Sequence, residues 1–274
     1  MNCIICDALI ENKSVEHIIP DALGGCITCN SICDRCNKGC GEEIDCKFTD
    51  SLVMLYVRDK LKIRNRDNKT VSFVNHPKVK WKNKITGQIE NIGKDGELLY
   101  VRTKPKLKTI NNTINVSAYT IQDIEKKLRR NNINRSIEDF AYSIALFNEN
   151  LECDMLISPQ EIIPFIIKVA YEFAIMNLGD NYKEDFIGKR YKEFLCETIK
   201  NKRPACNFQE YIKCTLFKEI DKCKDIKTID IYSDEHRIYL AMNLFEVIKA
   251  TILLTTEPQK YKDFKTPNFI EIKA

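Results

Sequence analysis

The chain has 274 residues, a formal net charge of +4, 44% hydrophobic and 30% charged residues. These proportions are typical of a folded globular protein and exclude extensive disorder. The small basic excess is compatible with a nucleic-acid partner but does not require one.

Membrane insertion and export are not expected. The most apolar stretch, 162–178, is interrupted by Pro164, Lys168 and Glu172, which a lipid-facing helix would not readily tolerate. The first residues lack the basic segment and apolar core of a secretory signal. We therefore predict a cytoplasmic protein without a membrane partner, in which the 13 cysteines are reduced thiols.

Eight of the cysteines lie at or before Cys46, and four of them form two widely separated C-x-x-C pairs, which we call the outer pairs. Each pair can place two sulfurs on one tight turn, so the sequence predicts a closed, structural four-thiolate Zn²⁺ site at Cys3, Cys6, Cys33 and Cys36. A third pair lies between them, and two further cysteines follow. We call these four the inner cysteines: Cys26, Cys29, Cys40 and Cys46. They could replace one outer pair as zinc ligands or hold a second ion.

The residues between the outer pairs predict short elements. Apolar residues around Glu16-His17 predict a strand within 14–20, residues 21–25 with their double glycine predict a loop, and 27–32 predict a second strand. A helix is expected from Cys33, with Gly39 and Gly41 limiting or ending it. A strand, a loop, a strand and a helix give a ββα arrangement.

The next segments first predict a helix and then strands. A helix over 48–63 is expected, capped by Thr49 or Asp50. Strands are expected over 71–74, 79–82, 88–92 and 97–101, with a hairpin turn at 94–97. Trp81 lies between two lysines. It could stack on a base, although a half-buried strand residue is the commoner role.

The rest of the chain predicts helices followed by strands. Helices are expected over 120–130, 137–147, 158–179 and 185–199, the third with a capping box at Ser158 and Glu161 and with Gly179 at its end. Strands are expected over 228–232, 237–244 and 246–254. Helices and antiparallel strands that are segregated along the chain indicate an α+β fold.

The N-terminal motifs resemble the HNH endonuclease family in its zinc-stapled ββα-metal form. The resemblance covers about the first 50 residues and rests on the two outer C-x-x-C pairs, Gly24-Gly25, Gly41 and the motif Glu16-His17-Ile-Ile-Pro20, with Asn37 directly after Cys36. It implies a small zinc-bound ββα-metal module at 1–60. Residues 61–274 would form a larger mixed accessory domain with a β meander, a helical middle and C-terminal antiparallel strands, for substrate positioning, sensing or oligomerisation.

The resemblance also implies catalytic roles. His17 would be the general base that activates water. Glu16 and Asn37 would bind one catalytic Mg²⁺ or Mn²⁺ ion through oxygen. Asn30 would match the middle asparagine of the family motif and orient the loop or the histidine. Asn37 stands where other members have histidine or asparagine.

The hypothesis from the sequence is a metal-dependent endonuclease acting on DNA, most readily double-stranded, with a role in anti-phage defence as an extension. Two alternatives stay open: a non-catalytic zinc-ribbon nucleic-acid-binding protein, and a nuclease that cleaves RNA, because such a site contacts phosphate rather than base. A homo-oligomer or a protein partner could form through the C-terminal domain. Neither His76 nor His236 has the spacing of a site.

Overall fold

The computed structural model describes these residues: 1–11, 14–65, 67–85, 87–90, 92–95, 98–101, 106–110, 113–117, 121–133, 151–153, 158–200, 208, 210–216, 220–261 and 270–271. They form two compact units. The first joins Met1–Val71 with Leu156–Ala274, and the second is Ser72–Met155.

The N-terminal segment of the first unit forms a two-stranded ribbon and a helix. Strand β1 (Glu16–His17) pairs antiparallel with β2 (Thr28–Cys29), and a 3₁₀ turn, Asp21–Leu23, lies between them. Helix α1 (Asp34–Cys40) follows. The predicted ββα order is therefore present.

The sequence predicted that Gly39 and Gly41 limit or end this helix, but the helical path continues beyond them. It continues from α1 through a π-helical turn, Gly41–Asp45, into α2 (Cys46–Thr49). Gly41 keeps right-handed helical backbone angles. Gly39 is a close-approach position instead, because a Cβ there would lie 2.3 Å from Cγ2 of Ile199.

Helix α3 (Leu52–Lys60) is capped by Ser51, whose hydroxyl accepts a hydrogen bond from the Met54 amide. The predicted caps were one and two residues too early. An N-cap needs an extended backbone and a side-chain acceptor for the first turn, and Ser51 supplies both.

In its described residues, the second unit contains short antiparallel strands and one helix. Residues 71–74 do not form the predicted strand. Part of the turn predicted at 94–97 lies outside the described residues, but the strands on either side of it pair antiparallel up to Asp95 and Leu98. The predicted helix over 137–147 lies outside the described residues. The elements are β3 (Trp81–Asn83), β4 (Ile89–Glu90), β5 (Ile92–Asp95), β6 (Leu98–Val101), β7 (Lys106–Ile110), β8 (Thr113–Ser117), α4 (Ile121–Arg130) and β9 (Leu151–Glu152).

Two helices form the core of the first unit. Helix α5 (Pro159–Leu178) has the predicted capping box of Ser158 and Glu161 and ends before Gly179; α6 (Phe186–Ile199) is capped by Asp185. Helix α5 is buried along most of its length. It therefore has to satisfy its charged residues internally.

A five-stranded antiparallel sheet packs against these helices, in the order β10-β13-β12-β11-β14. Buried and partly exposed positions alternate along β11 and β12, as expected for a sheet with one face on the core. The strands are β10 (Ile212–Leu216), β11 (Lys227–Ser233), β12 (Ile238–Leu244), β13 (Ile248–Thr255) and β14 (Ile270–Glu271).

The predicted α+β class is confirmed: a cysteine-rich N-terminal module, helices in the middle and antiparallel strands at the end. Among the described helices, none is both long enough and apolar enough to cross a bilayer. The compact units group residues from both sides of position 60. The 1–60 and 61–274 division stays a prediction about functional modules.

Candidate functional site

The four outer cysteines converge as the sequence predicted. The sulfurs of Cys3, Cys6, Cys33 and Cys36 all lie within 4.8 Å of one another. Two of these residues are buried and two are partly exposed. A closed set of four thiols is the donor set of a structural zinc site, so these residues are placed to bind a Zn²⁺ ion.

The surroundings of these sulfurs favour a thiolate at Cys3. The Cys36 thiol donates to Cys3 and the Cys33 amide donates to it at 3.4 Å. Together these hydrogen bonds lower the pKa of Cys3 to about 4, although burial opposes the shift. The same hydrogen bond raises the pKa of Cys36. Zn²⁺ binds thiolates, so binding would release the protons that remain.

The inner cysteines do not build a second cluster within the described part of the chain. The four outer thiols are the one group of three or more potential ligands found there at this spacing. Cys26 and Cys46 are exposed, whereas Cys29 and Cys40 are buried. Burial raises the pKa of Cys29 and Cys40, as expected for packed neutral thiols.

Strand β1 places its two motif residues on opposite faces, because side chains alternate along a strand. Glu16 is 3% exposed and pairs in register with the buried Cys29, whereas His17 is half-buried and pairs with the exposed Thr28. The imidazole therefore belongs to the solvent-facing side of the ribbon and the carboxylate to the interior.

The Glu16 carboxylate meets a lysine from α5. The Lys168 ammonium is fully buried and forms an ion pair with Oε1 of Glu16. It also donates to Oδ2 of Asp45 at 2.8 Å and to the backbone carbonyl of His17 at 3.0 Å. All three hydrogen-bond donors of the ammonium thus have an acceptor.

A fourth charged group, Glu172, lies one turn further along α5. It is fully buried, and neither of its carboxyl oxygens has a hydrogen-bond partner among the described residues. Burial raises the pKa of Glu172 well above its usual range and that of Asp45 to about 6, while Lys168 opposes both shifts. Burial lowers the pKa of Lys168, but the carboxylates around it outweigh that effect and raise it.

Asn37 joins helix α1 to the start of β1. Its side-chain amide donates to the Ser14 hydroxyl and, at 3.2 Å, to the Val15 carbonyl. The structure therefore brings Asn37 next to the strand that carries Glu16 and His17. Its nitrogen is engaged, which leaves the amide oxygen as the atom that could bind a cation.

The remaining residues considered in the sequence analysis are Asn30, His76, His236 and Trp81. Asn30 follows β2 and is exposed, and among the described residues no hydrogen bond joins its side chain to His17 or Asn37. His76 lies in a turn before Pro77, and His236 lies in the turn between β11 and β12. Trp81 packs edge-on against Phe73 with ring centroids 6.0 Å apart.

Sequence reasoning missed the participation of α5. A signal was present, since Lys168 and Glu172 stand four residues apart in an otherwise apolar stretch. Fully buried lysine and glutamate are rare unless they are paired. The partners of Lys168, however, lie more than 120 residues earlier, at Glu16, His17 and Asp45.

Residues 3–53 match the family model described as HNH endonuclease. The resemblance inferred from the sequence is thereby confirmed for the N-terminal region, and the four-cysteine cluster fits the zinc-stapled form of the family. No curated protein and no solved structure matches the chain.

The match and the site define a class: an HNH-type region, which points to a nuclease family, nucleic-acid binding and metal binding. The matched segment ends at residue 53, before α5 begins. Lys168 is therefore outside the family match although it contacts the motif residues Glu16 and His17.

Proposed function

We propose that this protein is a metal-dependent endonuclease that hydrolyses phosphodiester bonds of DNA. The observation that carries the proposal is the placement of His17 and Asn37 within the matched segment. His17 lies on the open side of β1, and Asn37 bonds to the residues that lead into that strand.

In this proposal His17 acts on water. A ring nitrogen of neutral imidazole accepts a proton from the water that attacks phosphorus. The Lys168 hydrogen bond to the His17 carbonyl fixes the backbone of the same residue. The imidazole is therefore attached to a strand whose backbone is held in place, rather than to a mobile loop.

Glu16 and Asn37 would hold the catalytic Mg²⁺ or Mn²⁺. A carboxylate and an amide oxygen are donors that these ions prefer. The Glu16 ion pair uses Oε1, and a carboxylate has a second oxygen with which to bind. The bound cation would stabilise negative charge on the reacting phosphate. Asn30 would orient the loop beside the site.

A non-catalytic zinc-ribbon nucleic-acid-binding protein is the second candidate. The burial of Glu16 against Lys168 favours it, because a carboxylate held in the interior is less accessible to a cation from solvent. A plasmid-nicking assay separates the two candidates, since only the endonuclease requires strand cleavage.

The test is a plasmid-nicking assay with Mg²⁺ or Mn²⁺, comparing the wild type with His17→Ala. We expect the wild type to nick DNA and the variant to be slower by about 10²- to 10⁴-fold. Zinc content and melting temperature should be unchanged, because His17 is half-buried and outside the thiol cluster. Wild-type protein that cuts neither DNA nor RNA with any divalent metal would favour the binding protein instead.

Cleavage of RNA instead of DNA is tested by offering both polymers at equal concentration.

Defence against phage is a further part of the proposal, suggested by the layout of a nuclease region with a large additional α+β segment. Fewer plaques on cells that express the wild type than on cells with His17→Ala would support it, and equal plaque numbers would count against it.

A further inference from the structure

Lys168 connects the second half of the first unit to the proposed catalytic strand. Its ammonium is fully buried and contacts Glu16, Asp45 and the backbone of His17. Each of these three residues lies within the segment that matches the HNH endonuclease model. Lys168 itself lies far outside that segment.

A buried ammonium is costly unless its partners are close and well placed. Here the three donors of one group meet a carboxylate from β1, a carboxylate from the π-helical turn and a main-chain carbonyl from β1. Apolar packing alone would not need this arrangement. The arrangement fixes both the strand and the Glu16 side chain at the same point.

Other parts of α5 contact the same N-terminal segment. The Tyr171 hydroxyl donates to the carbonyl of Ile4, between the first two zinc-site cysteines, at 2.6 Å. The rings of Phe165 and Phe48 stack with centroids 3.8 Å apart. Helix α5 therefore holds the module at three places, and Lys168 is the one that touches the proposed catalytic residues.

We propose that Lys168 is a positioning residue of the nuclease site, which orients the Glu16 carboxylate for the catalytic cation and fixes the His17 backbone for catalysis. This inference rests on the proposed function, because it takes Glu16 as a cation ligand and His17 as the base. Groups that orient a metal ligand commonly change metal affinity or activity by about 10- to 100-fold when they are removed.

The main variant is Lys168→Met, which keeps an unbranched side chain but removes the charge and the donors. The matched control is Lys227→Met, the same substitution at another buried lysine, which is 1% exposed and lies outside the charged cluster around Glu16. Lys227 lies on β11 and its ammonium pairs with Asp225 at 2.6 Å. Zinc content and the thermal midpoint report whether each variant is folded.

The first readout is Mn²⁺ affinity, measured by electron paramagnetic resonance of free Mn²⁺, and the second is the nicking rate as a function of metal concentration. We expect Lys168→Met to weaken both by about tenfold or more at unchanged zinc content. Lys227→Met should stay within about twofold of the wild type in both readouts. A folded Lys168→Met protein with wild-type Mn²⁺ affinity and nicking rate would overturn the inference.

A double-mutant cycle with Glu16→Gln tests whether Lys168 affects Mn²⁺ binding through Glu16. If Lys168 acts through Glu16, Lys168→Met should weaken Mn²⁺ binding far less in the Glu16→Gln background than in the wild type. Fully multiplicative effects of the two substitutions would contradict positioning through Glu16.

Lys168→Met could fail to fold because it leaves both Glu16 and Asp45 buried without their shared partner. Lys168→Met combined with Asp45→Asn removes one of these two charges and keeps the Glu16 carboxylate, and we expect this double variant to fold and still to bind Mn²⁺ about tenfold more weakly. Normal Mn²⁺ binding by it would overturn the inference.

The outcomes separate the two proposals. Wild-type protein that binds Mn²⁺ in a Lys168-dependent way but never nicks nucleic acid would contradict the proposed function alone. Nicking that is unaffected by Lys168→Met would contradict the positioning role alone. Wild-type protein with no Mn²⁺ affinity would contradict both.

Discussion

Glu16 and His17 are neighbours in the sequence with opposite environments. The carboxylate is 3% exposed and paired with a buried lysine, whereas the imidazole is half-buried on the other face of the ribbon. A two-residue strand is enough to separate them, because successive side chains point to opposite sides. The proposed metal ligand, Glu16, therefore lies in the interior, and the proposed base, His17, lies on the solvent-facing side.

Gly25 is a position where any side chain is excluded. A Cβ there would lie 1.8 Å from the carbonyl oxygen of Ile19, which is a main-chain atom close to β1. We expect Gly25→Ala to lower the free energy of unfolding by more than about 2 kcal/mol, as measured by urea denaturation.

Gly41→Ala is the matched control for that substitution. A Cβ there has no neighbour within 4 Å, and the backbone is helical with φ of −58°. Alanine should therefore be neutral or stabilising by up to about 1 kcal/mol. Equal stability of the two variants would contradict the close approach described for Gly25.

The zinc assignment can be tested by single cysteine substitutions. Cys33→Ser removes one thiol of the cluster and should abolish stoichiometric zinc, measured by elemental analysis of purified protein. Cys26→Ser changes an exposed thiol outside the cluster and should retain one zinc per chain. Two zinc ions per wild-type chain, or zinc loss in Cys26→Ser, would contradict the assignment to the outer pairs.

At the scale of elements, α5 serves both the hydrophobic core and the N-terminal module. A helix that is apolar on nearly all sides is normally a core helix. The Tyr171 hydroxyl and the Lys168 ammonium of α5 are nevertheless directed at specific acceptors in the cysteine turn and in β1. The module is thus stabilised by tertiary contacts that the family match does not contain.

Tyr171→Phe tests the contact between α5 and the cysteine turn. It leaves the buried carbonyl of Ile4 without its donor at 2.6 Å, so we expect a decrease of about 1–3 kcal/mol in the free energy of unfolding. We also expect faster zinc transfer to a chelator, because Ile4 lies between two zinc-site cysteines.

Tyr182→Phe controls for the removal of a buried hydroxyl. Tyr182 donates to the carbonyl of Leu254 at 3.0 Å, far from the cysteines in sequence. The substitution should lower stability by a similar amount while leaving the rate of zinc transfer in the native protein unchanged. If both variants released zinc at the same rate, the contact with Ile4 would have no specific effect on the metal site.

At the scale of the whole molecule, charge is unevenly divided. Residues 72–155 hold fourteen Lys or Arg and ten Asp or Glu, so the entire formal excess of +4 lies in the second unit. Lys80, Lys82 and Lys84 are exposed and alternate with the more buried Trp81 and Asn83. This row of lysines is suited to binding phosphates.

We expect the triple variant Lys80→Gln, Lys82→Gln and Lys84→Gln to bind DNA more weakly. The slope of log K against log salt should become shallower by up to about 0.9 for each phosphate that these lysines neutralise in the parent protein. Fluorescence anisotropy in the His17→Ala background without divalent metal measures this binding independently of cleavage.

The control changes three exposed lysines of the first unit to glutamine: Lys200, Lys213 and Lys224. Their replacement should leave the salt slope closer to that of the parent protein, although the net charge changes equally. Identical slopes for the two triple variants would show that net charge alone, and not the lysine row, governs binding.

The sequence by itself determined the features that depend on local spacing. The two outer C-x-x-C pairs predicted the thiol cluster, Ser158 and Glu161 predicted the start of α5, and the motif at Glu16-His17 predicted the family match. Such features follow from neighbours within a few residues, and those neighbours are visible in the sequence.

Only the tertiary structure decided what surrounds Glu16. Lys168 reaches it from a helix more than 150 residues later, and Asp45 joins them only because the helix continues past Gly39 and Gly41. Buried charges must find partners, but the sequence does not say which ones, because packing of distant segments selects them. For the same reason the sequence presents Gly39 as a helix end, whereas the fold uses it to bring α1 close to Ile199.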